Sequence, residues 1–217
     1  MLTVPPKGVR AMGKTLAAWL LMAVAAAAPT MTPRDVVQSA VMRVLQTIED
    51  TQPTPQSARP SPEKARLEIR RIATDLFDFD EVSRRALSRH WAARSSQEQA
   101  EFISLFTDLL ERSYVGKIES YSGEKIVYTG ELVDGDYATV RSRVVSKRRT
   151  ETALDYRLHR TGGRWKVYDV LIDGVSFVST YRSEFNRIIQ SSSWDDLMDR
   201  LRKKRIEIRT VVDRKAS

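Results

Sequence analysis

Few side chains in this sequence can do bond chemistry, and they are poorly grouped. It holds two histidines, His90 and His159, and no cysteine. General acid–base catalysis needs two titratable groups within hydrogen-bond reach of the reacting atoms. Asp155, Tyr156 and His159 are the nearest approach to such a set, but strand alternation sends Tyr156 and His159 to opposite faces. Without thiolates, and with the imidazoles far apart in sequence, a transition-metal site is poorly supplied. Asp75, Asp78, Asp80 and Glu81 form a small acidic group that suggests calcium. Their spacing lacks the central glycine and terminal glutamate of a calcium loop, so helix capping is the better reading. Motifs for phosphate loops, dinucleotide binding, nucleophile elbows and zinc hydrolases are absent. His90, beside Trp91 near a helix end, and His159 read as packing or surface residues. Two basic runs stand out, Lys147-Arg148-Arg149 and Arg200 to Arg205. The first fits a hairpin tip and the second a helix C-terminus; either can also meet an anionic headgroup or an acidic partner.

The elements that must position these residues begin behind an export signal. Lys7, Arg10 and Lys14 precede an uncharged run, TLAAWLLMAVAAAA, which ends in small residues suited to signal cleavage at Ala25 to Ala27. The run falls short of the roughly 20 apolar residues of a membrane span. Residues 1–27 therefore read as a signal peptide, 28–206 as one domain, and 207–217 as a tail. Loss of the three leader cations takes the formal charge from +8 to +5, a mild excess. For an exported chain it points to membranes or acidic partners rather than nucleic acid. Without cysteine the mature chain has no disulfide and no thiol for a lipid anchor.

Behind the leader, Thr32-Pro33 opens a helix striped by Val37, Val41, Val44, Leu45 and Ile48. A Pro-rich loop (51–62) leads to a second helix with Leu67, Ile69, Ile72 and Leu76. A short helix follows around Val82 to Trp91, with Asp80 as its cap. Ser95 and Glu98 form a capping box. From there Phe102, Leu105, Phe106, Leu109, Leu110, Tyr114, Ile118 and Tyr121 hold one face for about seven turns, roughly 39 Å, until Gly123. The period then changes to two. Four strands follow, separated by turns that include Asp134-Gly135 and Gly162-Gly163, and they read as an antiparallel meander. Two helices close the chain, the second capped by Ser193. The fold class is α+β, a curved four-stranded meander cupping the long helix. Such a cone-shaped interior suits a ligand, though periodicity alone leaves open whether it is hollow or filled.

One passage carries a specific likeness. GGRWKVYDVLIDGVSFVSTYRSEFNRIIQ, with Trp165, Tyr168-Asp169-Val170, Gly174-Val175-Ser176, Tyr181-Arg182 and Phe185, resembles the signature of the MlaC or toluene-tolerance family. The helix QEQAEFISLFTDLLERSYVGKIESY is similar to that family's long helix. The similarity runs from about Thr32 to Arg205, departing at the Pro-rich loop and after Ile206. It implies a sheet of the nuclear-transport-factor type and a deep apolar cavity that takes the acyl chains of a phospholipid. It implies a periplasmic location and partners in an Mla-type system: an inner-membrane ABC transporter complex and an outer-membrane lipoprotein–porin complex. It implies a monomer that binds no cofactor and no nucleic acid, with catalysis left to the transporter. A hopanoid carrier of the same family, a small isomerase or dehydratase, and an adaptor whose groove takes a partner helix are the alternatives.

On that reading the cavity lining comes from three places. The long helix gives Phe102, Phe106, Leu109, Leu110, Tyr114 and Ile118. The strands give Val140, Val144, Leu154, Tyr156, Leu158 and Val170. The closing segment gives Val175, Val178 and Tyr181. Core and pocket wall can be the same residues here. Tyr168 and Asp169 are expected to be architectural, and Gly174 to permit the turn before the closing helix. Intact-mass measurement of the exported protein should place its N-terminus between residues 26 and 28, whether translation starts at Met1 or Met12. An N-terminus that retains the apolar run would contradict the leader reading.

Overall fold

Besides Met1, the computed structural model describes residues 31–51, 62–119, 121–147 and 149–206. The expected leader, most of the Pro-rich loop and the tail lie outside the described residues. Helices α1 (Pro33–Thr51), α2 (Pro62–Leu76) and α3 (Phe79–Leu87), a 3₁₀ turn (Ser88–His90) and the long α4 (Ser96–Glu119) come first. Strands β1 (Lys125–Asp134), β2 (Tyr137–Val145), β3 (Glu151–Thr161), β4 (Arg164–Ile172) and β5 (Val175–Ser176) follow, then α5 (Phe177–Ser191) and α6 (Trp194–Arg202). No described helix is long and apolar enough to cross a membrane.

Local chemistry sets most of these boundaries. At the start of α1, Asp35 N–H donates to Thr32 Oγ1 and Thr32 N–H donates to Asp35 Oδ2, both at 3.1 Å. At α4 the expected capping box forms: Ser95 N–H donates to Glu98 Oε2 at 2.7 Å, and Glu98 N–H to Ser95 Oγ at 3.3 Å. Ser176 and Ser193 cap α5 and α6. The cap of α3 is Asp78, accepting from Glu81 N–H at 2.9 Å, rather than the expected Asp80, which lies inside the first turn. Helix α4 also stops at Glu119, short of Gly123. Ser122 explains part of this: its N–H and hydroxyl both donate to the Glu124 carboxylate, at 2.9 and 2.8 Å. Such local bonds compete with helix continuation. Tyr121 therefore leaves the helical face, and its hydroxyl donates to the Glu124 carbonyl at 2.6 Å.

The sheet is antiparallel with strand order β1-β2-β3-β4-β5. It has five strands, one more than expected, because Leu171↔Ser176 and Ile172↔Val175 pair. A two-residue strand is too short to display alternation. Tight turns fix the register. Gly162 and Gly163, at φ 55° and 76°, make the two-residue β3–β4 loop, a geometry open to glycine at little cost. The β3–β4 register slips between Arg157↔Asp169 and Leu158↔Val167, leaving Tyr168 as the extra residue of a bulge, a device that bends a strand and re-aims its side chains.

Apolar burial falls into two clusters rather than one. In the first, one sheet face (Ala138, Val140, Tyr156, Leu158, Trp165, Val167) packs on Val37 and Ala40 of α1 and Ile72 and Leu76 of α2. In the second, α3, α4, α5 and α6 pack on one another through Val82, Leu87, Phe102, Phe106, Tyr181, Phe185, Leu197 and others. Asp169, only 4% exposed, ties the sheet to the second cluster. Its carboxylate accepts from Val178 N–H at 3.0 Å and Ser176 Oγ at 2.7 Å, and Arg157 lies 3.6 Å away. Asp169 and Ser176 thus hold the N-terminus of α5 against β4. Asp169→Ala should cost on the order of 3 kcal/mol in urea unfolding, because it orphans the Val178 N–H and removes a partner of Arg157. Asp169→Asn, which keeps an acceptor, should cost less; equal losses would contradict this role.

Candidate functional site: an apolar cavity between two cores

The gap between the clusters is a cavity of about 420 Å³, within the usual range of roughly 300–1,000 Å³ for small-molecule sites. Helical geometry explains why α4 serves both a core and a cavity. Residues four apart on a helix are offset by about 40°, since each residue turns about 100°. The row Phe102, Phe106, Leu110, Tyr114, Ile118 therefore winds about 160° around the helix from end to end. Phe102 and Phe106, both fully buried, face α5 and α6. Leu110, Tyr114 and Ile118 line the cavity together with Thr107 and Glu111. The single face read from spacing is thus a spiral.

Three further sides enclose the space. Helix α2 and the residue after it contribute Ile69, Ala73 and Phe77, again at four-residue spacing. Phe79 and Val82 come from α3, and Leu154, Val170 and Ile172 from the ends of β3 and β4. Phe177, the first residue of α5, joins cavity to core. Its ring meets Tyr114 edge-on at 5.2 Å and lies 4.9 Å from Tyr181, which packs on Phe106 at 5.0 Å. Contacts of this kind are worth about 0.5–1.5 kcal/mol each beyond their buried area.

Charge on the wall is confined to a few groups. The Arg70 and Glu111 side chains, 51% and 26% exposed, form an ion pair at 2.7 Å from α2 to α4. Glu111 Oε2 is held there by charge rather than by a well-aligned hydrogen bond. On the sheet side, Tyr168 and Asp169 line the cavity. The Asp169 carboxylate is engaged with α5 as described, and the Arg85 guanidinium lies 4.0 Å from the Tyr168 ring centroid. Lys166 Nζ donates to the Thr74 and Asp75 carbonyls at 3.1 and 2.7 Å, fastening the end of α2 to β4.

Of the fifteen residues expected to line the interior, Leu110, Tyr114, Ile118, Leu154 and Val170 lie on the cavity wall, Leu110 being part of the helical cluster as well. Phe102, Phe106, Leu109, Val178 and Tyr181 pack in the helical cluster, and Val140, Tyr156 and Leu158 in the sheet cluster. They fall there because the cavity occupies only the seam, not the whole cone. Val144 is half-buried on β2, outside both clusters and the cavity. Val175 is 46% exposed on β5. The wall residues not anticipated come mainly from α2 and α3. The four-residue spacing of Ile69, Ala73 and Phe77 was available as a signal, beside the more conspicuous Ile69, Ile72 and Leu76.

Tyr156 and His159, weighed for acid–base chemistry, lie in different surroundings. Tyr156 is buried in the sheet cluster, and burial pushes its phenol well above the usual tyrosine range. His159 Nε2 sits 2.9 Å from Asp78 Oδ2, at the cap of α3, with its ring edge-on to Tyr168. His90 Nε2 is 3.1 Å from Asn186 Oδ1. Among the described residues no group of three or more acidic or histidine side chains is placed to hold a metal. The C-terminal basic run is largely paired: Arg200 with Asp196, Arg202 with Glu101, and Lys203 and Arg205 with Asp199.

The fold and site together define an α+β protein with an apolar space enclosed between an antiparallel sheet and a long helix. The chain belongs to the MlaC protein family, whose sequence profile matches residues 38–203. It is 26% identical over 182 residues to the toluene tolerance protein ttg2D of Pseudomonas putida, covering 83% of this chain and 81% of that protein. It is 23% identical over 157 residues to the intermembrane phospholipid transport system binding protein MlaC of Haemophilus influenzae, covering 70% and 73%. The same fold occurs in the phospholipid-binding protein of Ralstonia solanacearum, solved in complex with a phospholipid, with a TM-score of 0.68 and 24% identity over 80% of this chain and 96% of that one.

The spiral assigns Phe106 to holding α4 rather than to the cavity. Phe106→Ala should therefore cost about 3–5 kcal/mol in urea unfolding, as for a fully buried aromatic. A change within about 0.5 kcal/mol, typical of surface sites, would contradict that assignment.

Proposed function

We propose that this protein is a periplasmic lipid carrier. It holds the acyl chains of a phospholipid in the cavity between its two cores and moves that lipid between the two membranes. On this reading residues 1–27 are the export signal and residues 28–206 the carrier domain. Its partners are the inner-membrane ABC transporter complex, which supplies the ATP hydrolysis, and an outer-membrane lipoprotein–porin complex. The observation that carries the reading is the cavity itself, whose wall is mostly aliphatic and aromatic, with Thr74, Thr107, the Arg70–Glu111 pair and the groups on β4 as its polar members. Membership of the MlaC family and the phospholipid held by a protein of the same fold support it.

Physical chemistry makes such a cavity useful. A two-chain phospholipid carries about 30 methylenes, each worth about 0.8 kcal/mol on leaving water. Unassisted passage through an aqueous space is therefore very slow. An enclosed apolar wall removes most of that barrier, and the task requires no nucleophile, base or metal.

Ala73 offers a direct test, because it lines the cavity with the smallest apolar side chain on the α2 side. Ala73→Trp fills space without deleting an existing contact. It should displace about two or three methylenes of ligand and weaken binding on the order of thirtyfold. Mass spectrometry of lipid extracted from denatured protein, with uptake from vesicles, reads the result. Wild type should carry lipid and the variant much less. A wild-type protein that neither co-purifies with lipid nor takes it up would rule the carrier reading out.

A further inference from the structure

A second concavity lies on the other side of Tyr168 and Asp169; Trp91, Ala92 and Val178 form part of its wall, but unlike the first it is rich in cations. It encloses about 580 Å³ and is lined by five arginines: Arg84, Arg85 and Arg89 from α3 and the 3₁₀ turn, Arg157 from β3, and Arg182 from α5. Among the described residues Asp169 is its only lining carboxylate, already engaged by Ser176, Val178 and Arg157. Just outside the wall, Glu81 meets both Arg84 and Arg85 at 2.6 Å. Burial disfavours the Glu81 charge, yet these two guanidiniums hold its carboxyl below the usual range. Five guanidiniums against these two carboxylates leave three positive charges in excess. Arg89 and Arg182 have no carboxylate within ion-pair distance among the described residues; Arg89 donates to the Asn186 amide oxygen and Arg182 to Ser179 Oγ at 3.0 Å.

We propose that this arginine cleft is an anion site that takes a phosphate ester. Guanidiniums present forked donors that match phosphate oxygens in pairs. A phosphate supplies up to two negative charges and several strong acceptors, which suits the three-charge excess and the Ser88 and Ser179 side chains on the same wall. Concavity favours a compact anion over a membrane surface, since four elements converge on one space. The Arg85 guanidinium carbon lies 4.0 Å from the Tyr168 ring centroid, a cation–π contact that holds one guanidinium in place in advance. Tyr168 and Asp169 line both spaces. The phosphate is therefore either the headgroup of a lipid whose chains fill the apolar cavity or a free phosphate ester, and the cleft's chemistry is the same for both.

Phosphorus-31 NMR on lipid-free full-length mature protein at low salt, titrated with inorganic phosphate, tests the site. Saturable binding is expected, weakened roughly tenfold for each guanidinium removed in the Arg89→Gln, Arg182→Gln double variant. Arg182→Lys keeps the charge without the fork and should bind with intermediate strength; it also carries the test if the double variant does not fold. Repeating the titration after loading from pure phosphatidylglycerol vesicles separates the sources. Phosphate displaced by the loaded lipid identifies the headgroup as occupant, whereas phosphate retained beside it identifies a free ester. Wild type that shows no saturable phosphate binding, or a folded variant that binds as tightly as wild type, overturns the proposal. Lipid co-purification in the same preparations separates that failure from failure of the carrier reading.

Discussion

The burial of Phe102 and Phe106 against α5 and α6 sets how α4 sits, and through it the cavity. These rings meet Phe185 edge-on at 5.5 and 5.0 Å, and Phe102 also lies 5.9 Å from Trp194. They fix the rotation of the first half of α4. Because the apolar row advances about 40° every four residues, that rotation turns Leu110, Tyr114 and Ile118 onto the cavity, with Leu110 and Tyr114 still packed against the edge of the helical core. The side chains that hold the helix and those that line the cavity are thus one series, graded by helical twist, with Leu110 in both.

What faces Leu110, Tyr114 and Ile118 is set by the sheet. Helix α2 is committed to β4 through Lys166, through the Asp78 N–H to Val167 carbonyl bond at 2.9 Å, and through Ile72 and Leu76 in the sheet cluster. Helix α5 is committed to β4 through Asp169. Both helices are thereby held by the same strand, on either side of its bulge, and α4 is held by α5. The space that remains between α2 and α4 is crossed by Arg70–Glu111, a partly exposed pair of a kind worth about 0–1 kcal/mol. A strong frame thus surrounds a weakly closed seam, a suitable arrangement for admitting a long apolar molecule without unfolding.

Much of this frame was legible in the sequence because it is written in local chemistry. Thr32, Ser95 and Ser193 announce their helices, Gly162-Gly163 announces its hairpin, and the change from a four-residue to a two-residue period separates α4 from β1. The interior was less legible for a geometric reason. Spacing of four reads as one face over two turns but becomes a spiral over five, so Phe102 and Ile118 looked equivalent and are not. Tyr156, Leu158 and Val140 alternate inward as expected, yet inward on this sheet means the α1–α2 core. The arginine cleft was invisible for a different reason. Arg84, Arg157 and Arg182 are scattered along the chain and join only when α3, β3 and α5 converge, while the conspicuous run from Arg200 to Arg205 largely pairs with neighbouring acids.

On the carrier reading, acyl chains occupy the seam and not the cores or the surface. This is tested most directly by photo-crosslinking with a phospholipid that carries a diazirine near the end of one acyl chain, followed by mapping of the labelled residues. Labels are expected on Leu110, Tyr114, Val170, Phe77 and their neighbours around the cavity. Labels concentrated on the exposed Leu132, Val133 and Tyr137 of the β1–β2 hairpin, or on α6, would contradict it.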